Sequence, residues 1–123
     1  MSLFASTIHT RSRYSISSLV FEYGELTKLL INDYRKIWRQ PTLPFYFTQL
    51  SSIDTLKYKG HYWPQFRNEQ RKIIQLIPYT GMAVTSDVGS KNDVHPTNKK
   101  VVGERLALLA LSKTYFQSIA YSG

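Results

Sequence analysis

The sequence predicts an α/β fold: a short parallel sheet flanked by helices. Three observations predict it. Hydrophobic patterns of helical and extended type alternate along the chain as helix, strand, helix, strand, helix, the order of strands joined by crossover helices. The runs Phe45-Tyr46-Phe47 and Met82-Ala83-Val84 are unbroken and apolar, as in strands covered on both faces. A helical stretch separates them, so the strands should run parallel through a right-handed crossover.

Residues 1–18 are rich in Ser and Thr, carry Arg11 and Arg13, and show no period. Short edge strands fit Leu3–Ile8 or Tyr14–Ile16. From Leu19 to Arg39, the residues Leu19, Tyr23, Leu26, Leu30, Tyr34 and Ile37 recur at three- and four-residue steps and predict one apolar helix face. Glu22, Glu25, Lys28, Asp33, Arg35 and Lys36 fall outside it. Ser17 or Ser18 suits the cap, and Pro41 ends the element. Pro44–Leu50 reads as a strand and Ile53–Tyr62 as a loop. Trp63–Ile77 reads as a helix, with Pro64 in its first turn and Trp63, Phe66, Ile73, Ile74 and Ile77 on its inner side. Trp38 and Trp63 are expected as core anchors. Pro78–Gly81 is a turn signal, Met82–Val84 the second strand. Pro96 favours the first position of a last helix running to about Ser118. Its Val101, Val102, Leu106, Leu108, Leu109, Leu111 and Tyr115 cover more than one side, which predicts a mostly buried helix.

One domain fits 123 residues, and 42% apolar content supports a core. Without Cys, the chain has no disulfide scaffold and no thiolate metal site. His9, His61 and His95 have no metal-ligand spacing, so neither metal nor cofactor is expected. No apolar run approaches a membrane span, and no secretory signal is legible. The net charge of +8 raises nucleic acid as a partner. The basic residues are dispersed, however, and most fall on the polar faces of predicted helices. A solvated basic surface is the expected reading. The alternative is a basic binding or interaction module for a polyanion or a partner chain, which steep salt dependence would reveal.

Parallel strands put their carboxyl ends on one edge, where ligands bind in open α/β sheets. Gln49, Ser51 and Ser52 then lie near Asp87, and the loop carrying Asp93 and His95 leaves from the same edge. The runs Gly81-Met82-Ala83-Val84-Thr85-Ser86-Asp87, Asn92-Asp93-Val94-His95-Pro96-Thr97-Asn98-Lys99 and Val102-Gly103-Glu104-Arg105-Leu106-Ala107-Leu108 resemble the carboxyl end of the sialate O-acetylesterase family, within the SGNH-hydrolase superfamily of serine esterases. Leu30 to Trp38 and Leu43 to Leu50 add to the resemblance, which covers roughly Tyr23 to Gly123. It implies a partial three-layer, flavodoxin-like fold over residues 19–123, with residues 1–18 outside the family pattern. The implied substrate is an acetylated carbohydrate, such as one based on sialic acid or xylan. Family members are often secreted or periplasmic.

By this resemblance His95 is the catalytic base, taking a proton from a serine hydroxyl and returning it to the leaving alcohol. The superfamily spacing Asp-x-x-His would put an acid at Asn92. The nearest carboxylate is Asp93, with Asp87 as the alternative partner for the imidazole. Gln49 resembles a residue of the family's strand motif and is a candidate substrate contact. Each has a plainer reading. His95 can be a surface residue near a helix start, Asp93 a carboxylate favoured at a helix N-terminus, Asp87 the end of a strand in an Asx turn, and Gln49 a partner for backbone groups. The family's nucleophile motif, of Gly-Gln-Ser-Asn type, is not found, and no Gly-x-Ser occurs in the chain. The chain is therefore expected to be the carboxyl-terminal portion of a catalytic domain, inactive alone, and to form a homo-oligomer through strand edges or apolar helix surface.

Overall fold

The computed structural model describes residues 16–54, 62–93, 95 and 97–121, and of residues 16–18 the backbone only. The expected edge strand Leu3–Ile8, most of Tyr14–Ile16 and of the Ile53–Tyr62 loop, and Pro96 lie outside the described residues. The elements run α1 (Ile16–Ile37), β1 (Phe45–Thr48), α2 (Trp63–Leu76), β2 (Thr80–Ala83), a 3-10 turn (Ser86–Val88) and α3 (Lys99–Lys113). The fold is α/β, with β1 and β2 parallel and Phe45, Tyr46, Phe47 and Thr48 opposite Thr80, Gly81, Met82 and Ala83. No helix among the described residues is long and apolar enough to cross a membrane.

Alternation along the strands sorts their side chains between two helical layers. Phe47 and Met82 face one way and join Ile31 of α1, Ile73 of α2 and Ile77 just after α2 in the main core. Burying each such side chain is worth about 1.5–3 kcal/mol. Tyr46 and Gly81 face the other way, toward α3. Leu109 packs there at Gly81, and the Tyr46 hydroxyl shares a 2.7 Å hydrogen bond with Thr114. Gly81 belongs to the strand and not to the turn before it. A Cβ there would lie 2.9 Å from the Tyr46 ring, so the aromatic ring requires glycine. The turn itself is made by Tyr79, in the left-handed region at φ 58°, and pairing with Phe45 therefore starts at Thr80, two residues before the expected strand.

Three further expectations are corrected. First, α1 spans Ile16–Ile37, so the backbone at Ser17 and Ser18 is already helical. It ends at Ile37 in a Schellman motif: Arg39 is left-handed at φ 52°, its N–H donates to Lys36 O and that of Gln40 to Arg35 O. Second, the face of α1 in the core overlaps the one the apolar spacing marked only in part, through Tyr23. Val20, Ile31 and Arg35 are buried, while Leu26, Leu30, Tyr34 and Ile37 are exposed. Arg35 is held inside because its guanidinium donates to Leu43 O (3.1 Å) and Pro78 O (2.7 Å). The same rotation leaves Trp38 exposed. Third, α3 starts at Lys99, not Pro96, because Asn98 supplies the cap, its Oδ1 accepting from Val101 N–H. Only Leu109 of α3 is fully buried; with two strands beneath it, the sheet covers one side of that helix.

Candidate active site

The carboxyl ends of β1 and β2 share one edge, and a short hydrogen-bond series locks them together. Gln49 N–H donates to Ala83 O at 2.9 Å, and the Thr85 hydroxyl donates to Gln49 O. Beyond β1 the chain is held by α2. Gln70 is buried, and its Oε1 accepts from Leu50 N–H at 2.8 Å while its Nε2 approaches Thr48 O and the Tyr23 hydroxyl. The Trp63 indole N–H donates to Ser51 O at 2.6 Å, so Trp63 anchors a loop of the site and not the core.

Beyond β2, Asp87 sits in the 3-10 turn with both carboxylate oxygens on Arg105 of α3, at 2.6 Å each. Arg105 Nη1 also donates to Val84 O at 2.6 Å. These hydrogen bonds hold the Asp87 carboxyl down at about 2 and raise the Arg105 guanidinium. Gly89 then passes directly over the loop after β1. A Cβ on it would overlap the Ser52 carbonyl and lie 2.6 Å from Ser52 N, and Asp54 N–H donates to Lys91 O nearby. Here close approach of two backbones, and not left-handed geometry, requires glycine, since its φ is −70°. Between the loops lies a shallow cleft of about 320 Å³, lined by Ser52, Ile53, Asp54, Gly89, Ser90 and Lys91.

Asp93 pairs with Ser90 in an isolated antiparallel bridge, and its Oδ1 accepts from the backbone N–H of His95 at 2.8 Å. This is an Asx-type turn. The carboxylate fixes the backbone that carries the imidazole; among the described residues no hydrogen bond joins the imidazole to a carboxylate. His95 and Asp93 are both exposed, three and five residues before the Asn98 cap. Gln49 is half-buried, and its Oε1 is buried with no hydrogen-bond partner among the described residues.

The four singled-out residues thus stand on segments that leave the carboxyl ends of neighbouring parallel strands. Asp87 is engaged by Arg105 and Asp93 by the backbone of its own loop. The structure gives Arg105, Gln70 and Gly89 roles that the sequence alone does not mark. Gln70 interrupts the apolar series Trp63, Phe66, Ile73 on the inner face of α2, and a polar residue in such a series is the signal of a buried hydrogen-bonding task. Arg105 has no comparable signal, because its spacing also fits an outward face.

An exposed histidine on the loop beyond a strand, with carboxylates on the same loop, is an arrangement able to accept and return a proton at the rim of an α/β sheet. The helices and parallel strand pair form a partial α/β esterase fold. The chain matches no protein-family model and no curated protein. Among solved structures it is similar to XAC1771, a novel carbohydrate acetylesterase from Xanthomonas citri. The TM-score is 0.75 and the identity 36%, covering 83% of this chain and 24% of that one. The chain spans about a quarter of the length of the esterase it matches, and the likeness supports an esterase family at a coarse level.

Proposed function

We propose that this chain is the carboxyl-terminal part of the catalytic domain of a carbohydrate O-acetylesterase of the SGNH type, similar to the sialate O-acetylesterases, acting on acetyl esters of sugars such as sialic acid or xylan. The likeness to the Xanthomonas acetylesterase supports it, and the observation that carries it is the position of Asp93 and His95 beyond the carboxyl end of β2. His95 is the base. Asp93 orients it through the turn it forms with the His95 backbone N–H, and Asp87 is the alternative partner. Gln49, whose buried amide oxygen has no hydrogen-bond partner among the described residues, is the substrate contact. The serine nucleophile comes from a segment other than these 123 residues, so the chain alone is inactive. Strand edges without a neighbour among the described residues, together with exposed apolar side chains, support self-association of the isolated chain as a homo-oligomer.

The test is a single-chain hybrid in which this chain replaces the matched quarter of the Xanthomonas enzyme. The hybrid should release acetate from an acetylated sugar, and His95→Gln should lower kcat at least about 1000-fold, at the level expected for loss of a general base. The isolated chain should cleave p-nitrophenyl acetate no faster than free imidazole. A folded hybrid that is active with Gln at position 95 removes His95 from the reaction. Turnover by the isolated chain that depends on His95 removes the shared-domain reading.

A further inference from the structure

We propose, resting on the reading of His95 as the base, that Arg105 is its positioning residue: by tying the end of β2 and the 3-10 turn to α3, it fixes the place from which the imidazole acts. Asp93 and His95 lie between two elements, the 3-10 turn Ser86–Val88 and α3. Closing a flexible connection costs chain entropy, and Arg105 joins the two ends of this one. It lies about two helical turns past the Asn98 cap. Its guanidinium reaches back to Val84 O and to both carboxylate oxygens of Asp87, at 2.6 Å each. Nη1 carries two N–H groups, and both are used, one on the strand end and one on the turn. A single planar group therefore fixes the angle between them. The ammonium of a lysine, a point charge without a fork, cannot do the same.

Beyond this clasp the described backbone is tied step by step toward the histidine. Gly89 lies against the Ser52 backbone, and Lys91 O accepts from Asp54 N–H at 3.1 Å. Ser90 pairs with Asp93, and Asp93 Oδ1 accepts from His95 N–H at 2.8 Å. The last tie sets the backbone at His95 and takes its own position from the first. Both clasp side chains are partly exposed, and an ion pair in water adds little to stability, so what this pair contributes is geometry. With both oxygens on the guanidinium, Asp87 serves the turn and not the imidazole. Lys100 and Glu104 form the contrasting pair, at 3.8 Å. They lie nearer to His95 in sequence than Arg105 does, but both belong to α3 and join no two elements.

The experiment reads position and rate separately. In the 123-residue chain, heteronuclear NMR follows the backbone amides and the His95 imidazole. Arg105→Lys should shift the signals of Asp93 and His95, while those of Phe47 and Met82 in the sheet stay at their parent positions. Asp87→Asn should give the same pattern. The double variant should go no further than either single one, because the two side chains act as a unit. Lys100→Gln should leave the His95 signals unmoved. Circular dichroism checks each fold; if Arg105→Lys unfolds, Asp87→Asn carries the reading. In the single-chain hybrid with the Xanthomonas enzyme, Arg105→Lys should lower kcat about 10- to 100-fold with KM little changed, the scale of a misplaced catalytic group. A purely structural role would lower the urea midpoint and leave the kcat of the folded hybrid as in the parent. His95 signals that ignore both Arg105→Lys and Asp87→Asn, additive shifts in the double variant, or an active hybrid whose kcat ignores Arg105→Lys would each overturn the proposal. A parent hybrid without activity fails the esterase reading instead, and the His95 signals of the 123-residue chain then decide the positioning by themselves.

Discussion

Replacing Gln70 by Met isolates the amide that holds the chain beyond β1. Met is unbranched and of similar volume, so the cavity contribution is small. What is lost is the acceptor for Leu50 N–H, a 2.8 Å bond, at a buried position. Leaving that donor unpaired costs about 1–3 kcal/mol. The contact to Thr48 O, at 3.4 Å, is at the limit of hydrogen-bond geometry and adds little. A net loss of about 2 kcal/mol is expected, which for a domain of this size lowers Tm by roughly 8 °C. Urea unfolding followed by circular dichroism gives the global number. Amide exchange of Leu50 gives the local one and should speed up by about tenfold or more, since about 1.4 kcal/mol is a factor of ten. Gln70→Glu keeps an acceptor for Leu50 N–H and should recover part of the loss above the carboxyl's titration range. A Gln70→Met variant within about 0.5 kcal/mol of the parent, with Leu50 exchange unchanged, refutes the assignment of this amide to the strand edge.

The Gly89 and Asp87 positions give two more predictions. Gly89→Ala forces a Cβ into the Ser52 backbone and should cost about 1–3 kcal/mol as overpacking, read as a lowered urea midpoint with new chemical shifts at Ser52 and Asp54. Asp87 titrates at about 2 in the folded chain against 3.8 ordinarily, so the unfolded chain takes up the proton first. The contribution of the Arg105 pair is then full well above pH 3.8, declines as pH falls, and is gone below about 2. Asp87→Asn should therefore flatten the acid limb of stability between those values, and an unchanged limb would mean that the pair does not form in solution.

The strand–loop–helix order was legible because it rests on runs that are apolar without interruption. Phe45–Phe47 and Met82–Val84 have one plausible environment, and two parallel strands can only open their carboxyl ends on one side. That reasoning placed Gln49, Asp87, Asp93 and His95 around a common rim. The face of α1 was misread in part for a physical reason: spacing shows that Leu26, Leu30 and Ile37 share a side, but cannot say which side meets the core. Arg35 was misread in the opposite direction. A charge is assigned to solvent unless its partners are known, and its partners are two carbonyls, one of them 43 residues away. The start of α3 was a contest between two local signals, Pro96 and Asn98, and the side chain able to accept a backbone hydrogen bond prevailed. The engagement of Asp87 by Arg105 was invisible because the two are 18 residues apart with no pattern linking them.

Among the described residues, the non-glycine residues with positive φ are Arg39, Tyr79 and Phe116. Arg39 lies before β1 and Tyr79 directly before β2. Phe116 follows α3, whose end is fastened near Tyr46 by Thr114. All three therefore lie toward the amino-terminal edge of the sheet, across the molecule from His95. A left-handed L-residue costs about 1–2 kcal/mol, and such strain is commonly found where chemistry is done. Here it sits at the far end, at chain reversals that glycine or asparagine would serve at lower cost. An engineer seeking a more robust version of this chain thus has three positions to work on, at the end of the sheet away from the candidate site.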